Sequence, residues 1–291
     1  KLTTTGASNT AVGSLALAAN TTGNDNTAFG AQALLVATTA TANTGLGRAA
    51  MCKTTTGANN TVVGYFVMEG NTTGANNTAV GRSALACNTT AANNTAVGCK
   101  ALTSNTTGAE NTAIGMNAMT ANTTGEHNVA VGRATFAVNQ TGDQNVAVGN
   151  YALDANTSAD QNVAVGYCAL TTNTTGASNT AVGHKSLAGN TTGSVNTAFG
   201  NQAMFTNTTG ANNTALGRTA LYAQTTAASN TAVGYETMYA TTTGHSNTAL
   251  GKTALDANTT GASSVAVGVD ALGANTTGCQ NTAVGTSALL D

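Results

Sequence analysis

The sequence predicts an all-β fold: a parallel β-solenoid, or β-roll, of seventeen 17-residue coils with two short strands in each coil. Three observations predict it. One glycine recurs every 17 residues throughout the chain, without insertion or deletion. Each unit repeats the pattern N-T-A-V-G-x-x-A-L-x-A-N-T-T-G-A-x. The apolar residues lack the helical spacing i, i+3, i+4, i+7, and the unit is too short for a helical hairpin repeat.

The composition excludes several classes of function. Charged residues make up 7% of the chain and the formal net charge is −2, so the chain has no strong attraction for nucleic acid. No apolar run approaches the roughly 18 residues of a membrane span, so this segment is not expected to insert into a membrane. We expect residues 1–291 to form a single uninterrupted repeat array without capping repeats, as a segment of a longer fibre.

The segment N-T-A-V-G predicts the first strand of each coil. Thr10 and Val12 share one face of this strand, and we expect that face to be the interior. Ala11 would then point outward, and its small size in nearly every copy would reflect contact with a second chain or a second sheet. The glycine ends the strand at a tight corner, where the missing Cβ removes a steric penalty. The predicted corner glycines are Gly13, Gly30, Gly47, Gly64, Gly81, Gly98, Gly115, Gly132, Gly149, Gly166, Gly183, Gly200, Gly217, Gly234, Gly251, Gly268 and Gly285.

The rest of the coil predicts a second strand and a polar turn. The segment x-x-A-L-x-A would form the second strand, with Leu17 and Leu34 in the core, and N-T-T-G-A-x-N would close the coil. Stacked coils bring equivalent residues to about 4.8 Å, so asparagines in one column can form a hydrogen-bonded ladder. Ser264 is the one replacement in that column. The predicted ladder is Asn9, Asn26, Asn43, Asn60, Asn77, Asn94, Asn111, Asn128, Asn145, Asn162, Asn179, Asn196, Asn213, Asn230, Asn247 and Asn281.

The polar turn also carries a row of N-x-[ST] sequons. In an exported protein each asparagine could accept a glycan, although Asn-Thr-Thr is also favourable turn chemistry. The candidate glycan acceptors are Asn20, Asn71, Asn88, Asn105, Asn122, Asn139, Asn156, Asn173, Asn190, Asn207, Asn258 and Asn275.

Basic residues and tyrosines follow the corner glycines. Seven of the nine basic residues lie one or two positions after a corner glycine, on the same edge as Tyr65, Tyr151, Tyr167 and Tyr235. Tyrosine beside arginine can stack on sugars or line a contact between chains, so surface glycans or matrix are candidate ligands. The alternative interpretation is a solvated edge, since exposed charges contribute little.

The residue types that most often catalyse reactions, histidine and cysteine, are few and scattered along the chain. His127, His184 and His245 have no matched Ser or Cys nucleophile. The five cysteines have irregular spacing and form no C-x-x-C pair. We therefore predict a chain that is not an enzyme, with no catalytic, cofactor-binding or metal-binding residues and no cofactor.

Two segments carry a family resemblance. S-V-A-V-G at 264–268 and N-V-A-V-G at 145–149 resemble the S-V-A-I-G core of head repeats in YadA-like trimeric autotransporter adhesins, and the resemblance covers the whole chain. It implies a left-handed parallel β-roll, three associated chains and a rod that binds host matrix or cells. Similar N-T-A-V-G arrays also resemble the shafts of phage tail fibres.

These observations predict a structural or adhesive component of an extracellular fibre or filament, located outside the cell or on a cell or virion surface. Its main partner would be itself, as a homotrimer or an end-to-end filament. A phage tail-fibre shaft is one alternative. An ice-binding solenoid is another, although such proteins order water on flat Thr-x-Thr strands and the Thr-Thr pairs here precede glycine in a turn.

Overall fold

Every coil of the chain contributes one three-residue strand. The computed structural model describes residues 5–290, in two compact units, Lys1–Gln144 and Asn145–Asp291. Within the described range there are seventeen strands and no helix. The first unit contains β1 (Thr10–Val12), β2 (Thr27–Phe29), β3 (Thr44–Leu46), β4 (Thr61–Val63), β5 (Thr78–Val80), β6 (Thr95–Val97), β7 (Thr112–Ile114) and β8 (Val129–Val131). The second contains β9 (Val146–Val148), β10 (Val163–Val165), β11 (Thr180–Val182), β12 (Thr197–Phe199), β13 (Thr214–Leu216), β14 (Thr231–Val233), β15 (Thr248–Leu250), β16 (Val265–Val267) and β17 (Thr282–Val284).

Within each unit, strands that follow one another in sequence pair in parallel with a register of one repeat. Thr44 lies opposite Thr61 in the first unit, and Val163 lies opposite Thr180 in the second. The predicted parallel β-solenoid with 17-residue coils is therefore confirmed in each unit. We number the seventeen positions of a coil from the first residue of its strand, which makes the corner glycine position 4.

The segment after the corner glycine is a pair of turns, so the prediction of a second strand is wrong. Positions 6 and 8 have left-handed backbone in coil after coil, as at Gln32 (φ 63°) and Leu34 (φ 50°), whereas a strand needs strongly negative φ. The turns still hydrogen-bond to the neighbouring coils: Leu34 N–H donates to Ala50 O at 3.0 Å. The backbone ladder thus continues around the coil without a second sheet.

The interior lies on the face of the strand opposite to the predicted one. The middle residue of β2–β16 is fully buried, as Ala28 and Ala164 are, while the residues on either side of it lie on the surface. The reason is the large side chain at position 8 (leucine, methionine or, in one coil, Phe136), which crosses the coil toward the strand. A Cβ on Gly45, in the middle of β3, would lie 3.4 Å from Cε of Met51 and 3.7 Å from Cδ1 of Leu34. That space accepts a small side chain, so alanine is restricted by the core and not by a second chain.

The corner glycines adopt the backbone that the sequence predicts for them. Their φ values lie between 126° and 143°, in a region that side-chain-bearing residues rarely adopt. A Cβ on Gly149 would also lie 2.5 Å from the carbonyl oxygen of Gly166 in the next coil. Both backbone conformation and close stacking therefore require glycine at position 4.

Candidate functional site

The interior of each unit is built from small apolar residues, asparagine and one large apolar side chain per coil, which is leucine or methionine except at Phe136. Alanines at positions 2 and 7 pack with position 8, as Ala79, Ala84 and Leu85 do in the coil of β5, where all three are fully buried. Positions 11 and 17 add a buried asparagine each in most coils. This interior contains apolar surface and paired amides, which hold the coils together.

The predicted asparagine column at position 17 forms a ladder inside each unit. Asn60 shows the pattern: its backbone N–H donates to Oδ1 of Asn43 at 2.9 Å, and its Nδ2 donates to Oδ1 of Asn43 at 3.0 Å and to Gly74 O at 2.9 Å. Ser264 takes the same place, because its N–H donates to Asn247 Oδ1 and its Oγ accepts from Asn281 N–H at 3.2 Å. Within each unit, the column thus gives a side-chain acceptor to the backbone N–H at position 17 of the following coil.

A second asparagine column at position 11 overturns the interpretation of these residues as glycan acceptors. Asn88 Nδ2 donates to Asn71 Oδ1 at 2.9 Å and to Ala91 O at 3.1 Å. Eleven of the twelve side chains are at most 1% exposed, and the last is half-buried, so a glycan on Nδ2 is incompatible with the packed coil. The residues concerned are Asn20, Asn71, Asn88, Asn105, Asn122, Asn139, Asn156, Asn173, Asn190, Asn207, Asn258 and Asn275.

The column at position 11 could have been recognised from its substitutions. Ala37, Thr54, Gln224 and Thr241 replace asparagine there, and all four are neutral and buried. Gln224 keeps the ladder bond, since its Nε2 donates to Asn207 Oδ1 at 3.2 Å. A surface turn would accept charged residues at this position, and the absence of charge in the column indicates burial.

The surface side of the strands is the most regular exposed feature of the chain. Within each unit, we call the side chains at positions 1 and 3 of its strands the strand face. Position 3 is apolar in all seventeen coils, although Phe29 is 58% exposed and Phe199 56%. Position 1 is Thr or Val throughout. In nine coils the position 3 side chain is exposed and in eight it is half-buried, so the strand face presents a continuous run of apolar side chains at the surface.

The basic edge at positions 5 and 6 brings arginine and tyrosine together, as the sequence predicts. The Arg48 guanidinium lies 5.7 Å from the Tyr65 ring centroid, and its Nη1 donates to the Tyr65 hydroxyl at 3.1 Å. Arg218 lies 5.6 Å from the Tyr235 ring. Because these cations already stack on tyrosines of the next coil, the edge forms separate pairs and not a continuous cationic stripe.

The titratable groups that the structure describes form at most small surface pairs. Over residues 5–290, no group of three or more His, Cys, Asp or Glu side chains has the arrangement of a metal site, and the five cysteines are free thiols. His127 Nδ1 lies 3.1 Å from Glu110 Oε2 on the surface. Burial raises the pKa of the Asp154 carboxyl, and the hydrogen bond from Thr171 acts in the opposite direction. Burial also raises the pKa of Asp256.

Comparison with family models finds no match along the chain, and comparison with curated proteins finds none either. In the part of the chain that the structure describes, no helix has the length and apolarity to cross a membrane.

Proposed function

We propose that this chain is a non-catalytic structural repeat protein of an extracellular fibre or adhesive stalk, whose copies associate through the strand face. The single observation that carries the proposal is the apolar column at position 3, which remains apolar in every coil while lying on the surface. Burying that column would stabilise the assembly by about 25 cal/mol for each Å² of apolar area removed from water. Because the column repeats in every coil, these small contributions add together along the chain.

A second copy of the same chain is the partner that fits this face. Its coils have the same spacing of about 4.8 Å between equivalent residues, so two strand faces can meet over many coils without losing register. The strand face also lacks charged residues, so its burial leaves no unpaired charge at the contact. A homotrimer of the kind implied by the resemblance to YadA-like adhesin heads, or a phage tail-fibre shaft, would then assemble through this face, and in either case the chain would lie outside a cell or on a virion.

The ice-binding alternative would use the same face, because threonine occupies position 1 of β1–β7 without interruption. The apolar position 3 favours self-association instead, since bulky rings at Phe29 and Phe199 interrupt a flat hydroxyl array. A measurement of thermal hysteresis distinguishes them: a fibre protein gives no gap between melting and freezing points, and an ice-binding protein gives one.

Sedimentation velocity over a range of concentrations tests the proposal. The variant carries Val148→Lys, Val165→Lys and Val182→Lys on the strand face, and the matched control carries Thr175→Lys, Thr192→Lys and Thr209→Lys on the exposed turns of the same unit. We expect the unmodified chain and the control to sediment as oligomers and the strand-face variant as a monomer with an unchanged circular dichroism spectrum. A monomeric unmodified chain, or an oligomeric strand-face variant, would contradict the proposal.

A further inference from the structure

Three aromatic side chains stack at position 9 on successive coils of the second unit. The ring centroids of Phe205 and Tyr222 are 5.4 Å apart with an interplanar angle of 11°. Those of Tyr222 and Tyr239 are 5.0 Å apart with an angle of 7°. The coil spacing of about 4.8 Å is close to a favourable stacking distance, so this column holds rings face to face at regular intervals.

A cleft of about 340 Å³ adjoins the Phe205 end of this column. In the coil before that of Phe205, position 9 is Ala188 and position 10 is Gly189. A methyl group and a residue without a side chain therefore lie where a fourth ring of the column would be. The volume is at the lower end of the range for small-molecule sites, about 300–1,000 Å³. The cleft is therefore large enough to hold one ring with a small substituent.

The threonines that line the cleft direct their hydroxyl groups elsewhere. Thr172 Oγ1 donates to Ala188 O at 2.6 Å, and Thr206 Oγ1 donates to Tyr222 O at 2.8 Å. Thr171 Oγ1 donates to Asp154 Oδ1 at 2.8 Å. Because these hydroxyls already have acceptors, the threonines contribute mainly their methyl groups, and the walls are apolar around the Phe205 ring.

Lys185 supplies a positive charge at the margin of the cleft. Over residues 5–290 no carboxylate pairs with its ammonium group. Lys185 can therefore form a charge-assisted hydrogen bond with an anionic group on a ligand, and an uncharged ligand would lack this interaction.

We propose that this cleft binds a planar aromatic ring that carries an anionic substituent, with the ring stacked on Phe205 and the anion beside Lys185. The ring continues the column of Phe205, Tyr222 and Tyr239 by one coil spacing. The site involves positions 6, 9 and 10 of the coil, whereas the strand face involves positions 1 and 3, so this proposal is independent of self-association.

Ligand-observed NMR titration of the full chain tests the site with three probes. 4-Hydroxybenzoate has both ring and charge, 4-hydroxybenzyl alcohol has the ring alone, and cyclohexanecarboxylate has the charge without a flat ring. We expect 4-hydroxybenzoate to bind most tightly. Lys185→Gln should weaken its binding about fivefold and leave 4-hydroxybenzyl alcohol unchanged, as for one partly exposed charge pair.

Ala188→Phe is the decisive variant, because its own ring would occupy the level proposed for the ligand. We expect it to abolish binding of 4-hydroxybenzoate, while Ala86→Phe, the same change at position 9 in the other unit, leaves binding intact. Phe205→Leu provides a second test that keeps apolar bulk without a ring, and should weaken binding about fivefold. The proposal is overturned if no aromatic probe binds, if Ala188→Phe binds as before, or if cyclohexanecarboxylate binds as tightly as 4-hydroxybenzoate. None of these outcomes depends on whether the chain associates through the strand face.

Discussion

Val195 has a backbone conformation that β-branched residues rarely adopt. It stands at position 16 with φ 60° and is 56% exposed, so no packing compensates for the conformation. Asn212 has the same role one coil later with φ 58°, and asparagine tolerates left-handed backbone because its short side chain can hydrogen-bond locally.

We predict that Val195→Asn stabilises the chain by about 1 kcal/mol, the lower end of the left-handed penalty for a residue with a bulky Cβ. The shift of the urea midpoint, followed by circular dichroism, measures it. Ser178→Asn, at the same position with φ 58°, is the matched control and should change stability by less than about 0.5 kcal/mol. Equal effects of the two substitutions would mean that Val195 carries no strain.

At the scale of single residues, the sequence shows which residues are equivalent from coil to coil, but it does not show whether those residues are buried. Gly149 could be placed at a corner because position 4 needs both positive φ and close stacking. Asn88 could not be assigned from its Asn-Thr-Thr string, because the same string serves a solvated turn and a buried ladder. Only the hydrogen bonds to Asn71 and Ala91 separate the two.

The three-residue strand is the element whose orientation defines the fold. Ala164 is fully buried in the middle of β10, and Val165 beside it is half-buried on the opposite face of the strand. We predict that Ala164→Leu lowers the free energy of unfolding by about 1–3 kcal/mol, because the added methylenes meet the position 8 side chain. Val165→Leu, the matched control, should change the stability of the monomer by less than about 0.5 kcal/mol. If the control were the more damaging change in urea denaturation, the strand would face the other way.

The asparagine ladder stabilises one coil against the next. Asn179 Nδ2 donates to Gly193 O at 2.8 Å, and its Oδ1 accepts from Asn196 N–H at 3.0 Å. We predict that Asn179→Ala destabilises the chain by about 2–4 kcal/mol, since it leaves both buried groups without partners.

Asn179→Ser is the informative comparison for this ladder. It should be less damaging than Asn179→Ala, because a serine oxygen at the equivalent Ser264 accepts a backbone N–H from Asn281 at 3.2 Å. Hydrogen exchange at the Asn196 amide reports the effect locally: we expect fast exchange in Asn179→Ala and partial protection in Asn179→Ser. If the Asn196 amide exchanged as slowly in both variants as in the unmodified chain, the ladder bonds would not be what protects it from exchange.

At the scale of elements, the sequence predicts the coil length and the register, because a fixed period without insertions allows only one stacking. It does not predict the single strand per coil. Leu34 has φ 50° and yet carries none of the Gly or Asn signals that mark left-handed backbone, so its segment resembles a strand in sequence. It also does not predict the inward face, since the usual rule that valine is buried and alanine exposed fails where a leucine already spans the coil.

At the scale of the whole molecule, the proposed self-association rests on the strand face. The alanine at position 2, which we expected from the sequence to contact a second chain or sheet, is buried in the core instead. The apolar column at position 3 is only partly buried in an isolated chain: Val148, Val165 and Val182 are half-buried, and Phe29 and Phe199 are more than half exposed. It becomes stabilising when a second copy covers it, and association then adds to the stability of the fold by mass action. The sequence alone could not identify this face, since it required the orientation of the strand.

Electron cryomicroscopy of the assembled protein, viewed along the direction in which the coils stack, tests the central claim most directly. We predict a cross-section in which the strand faces of neighbouring chains meet and the polar turns at positions 12 and 13 point outward to solvent. Chains that contact one another through the polar turns, with the apolar position 3 column open to solvent, would contradict the account.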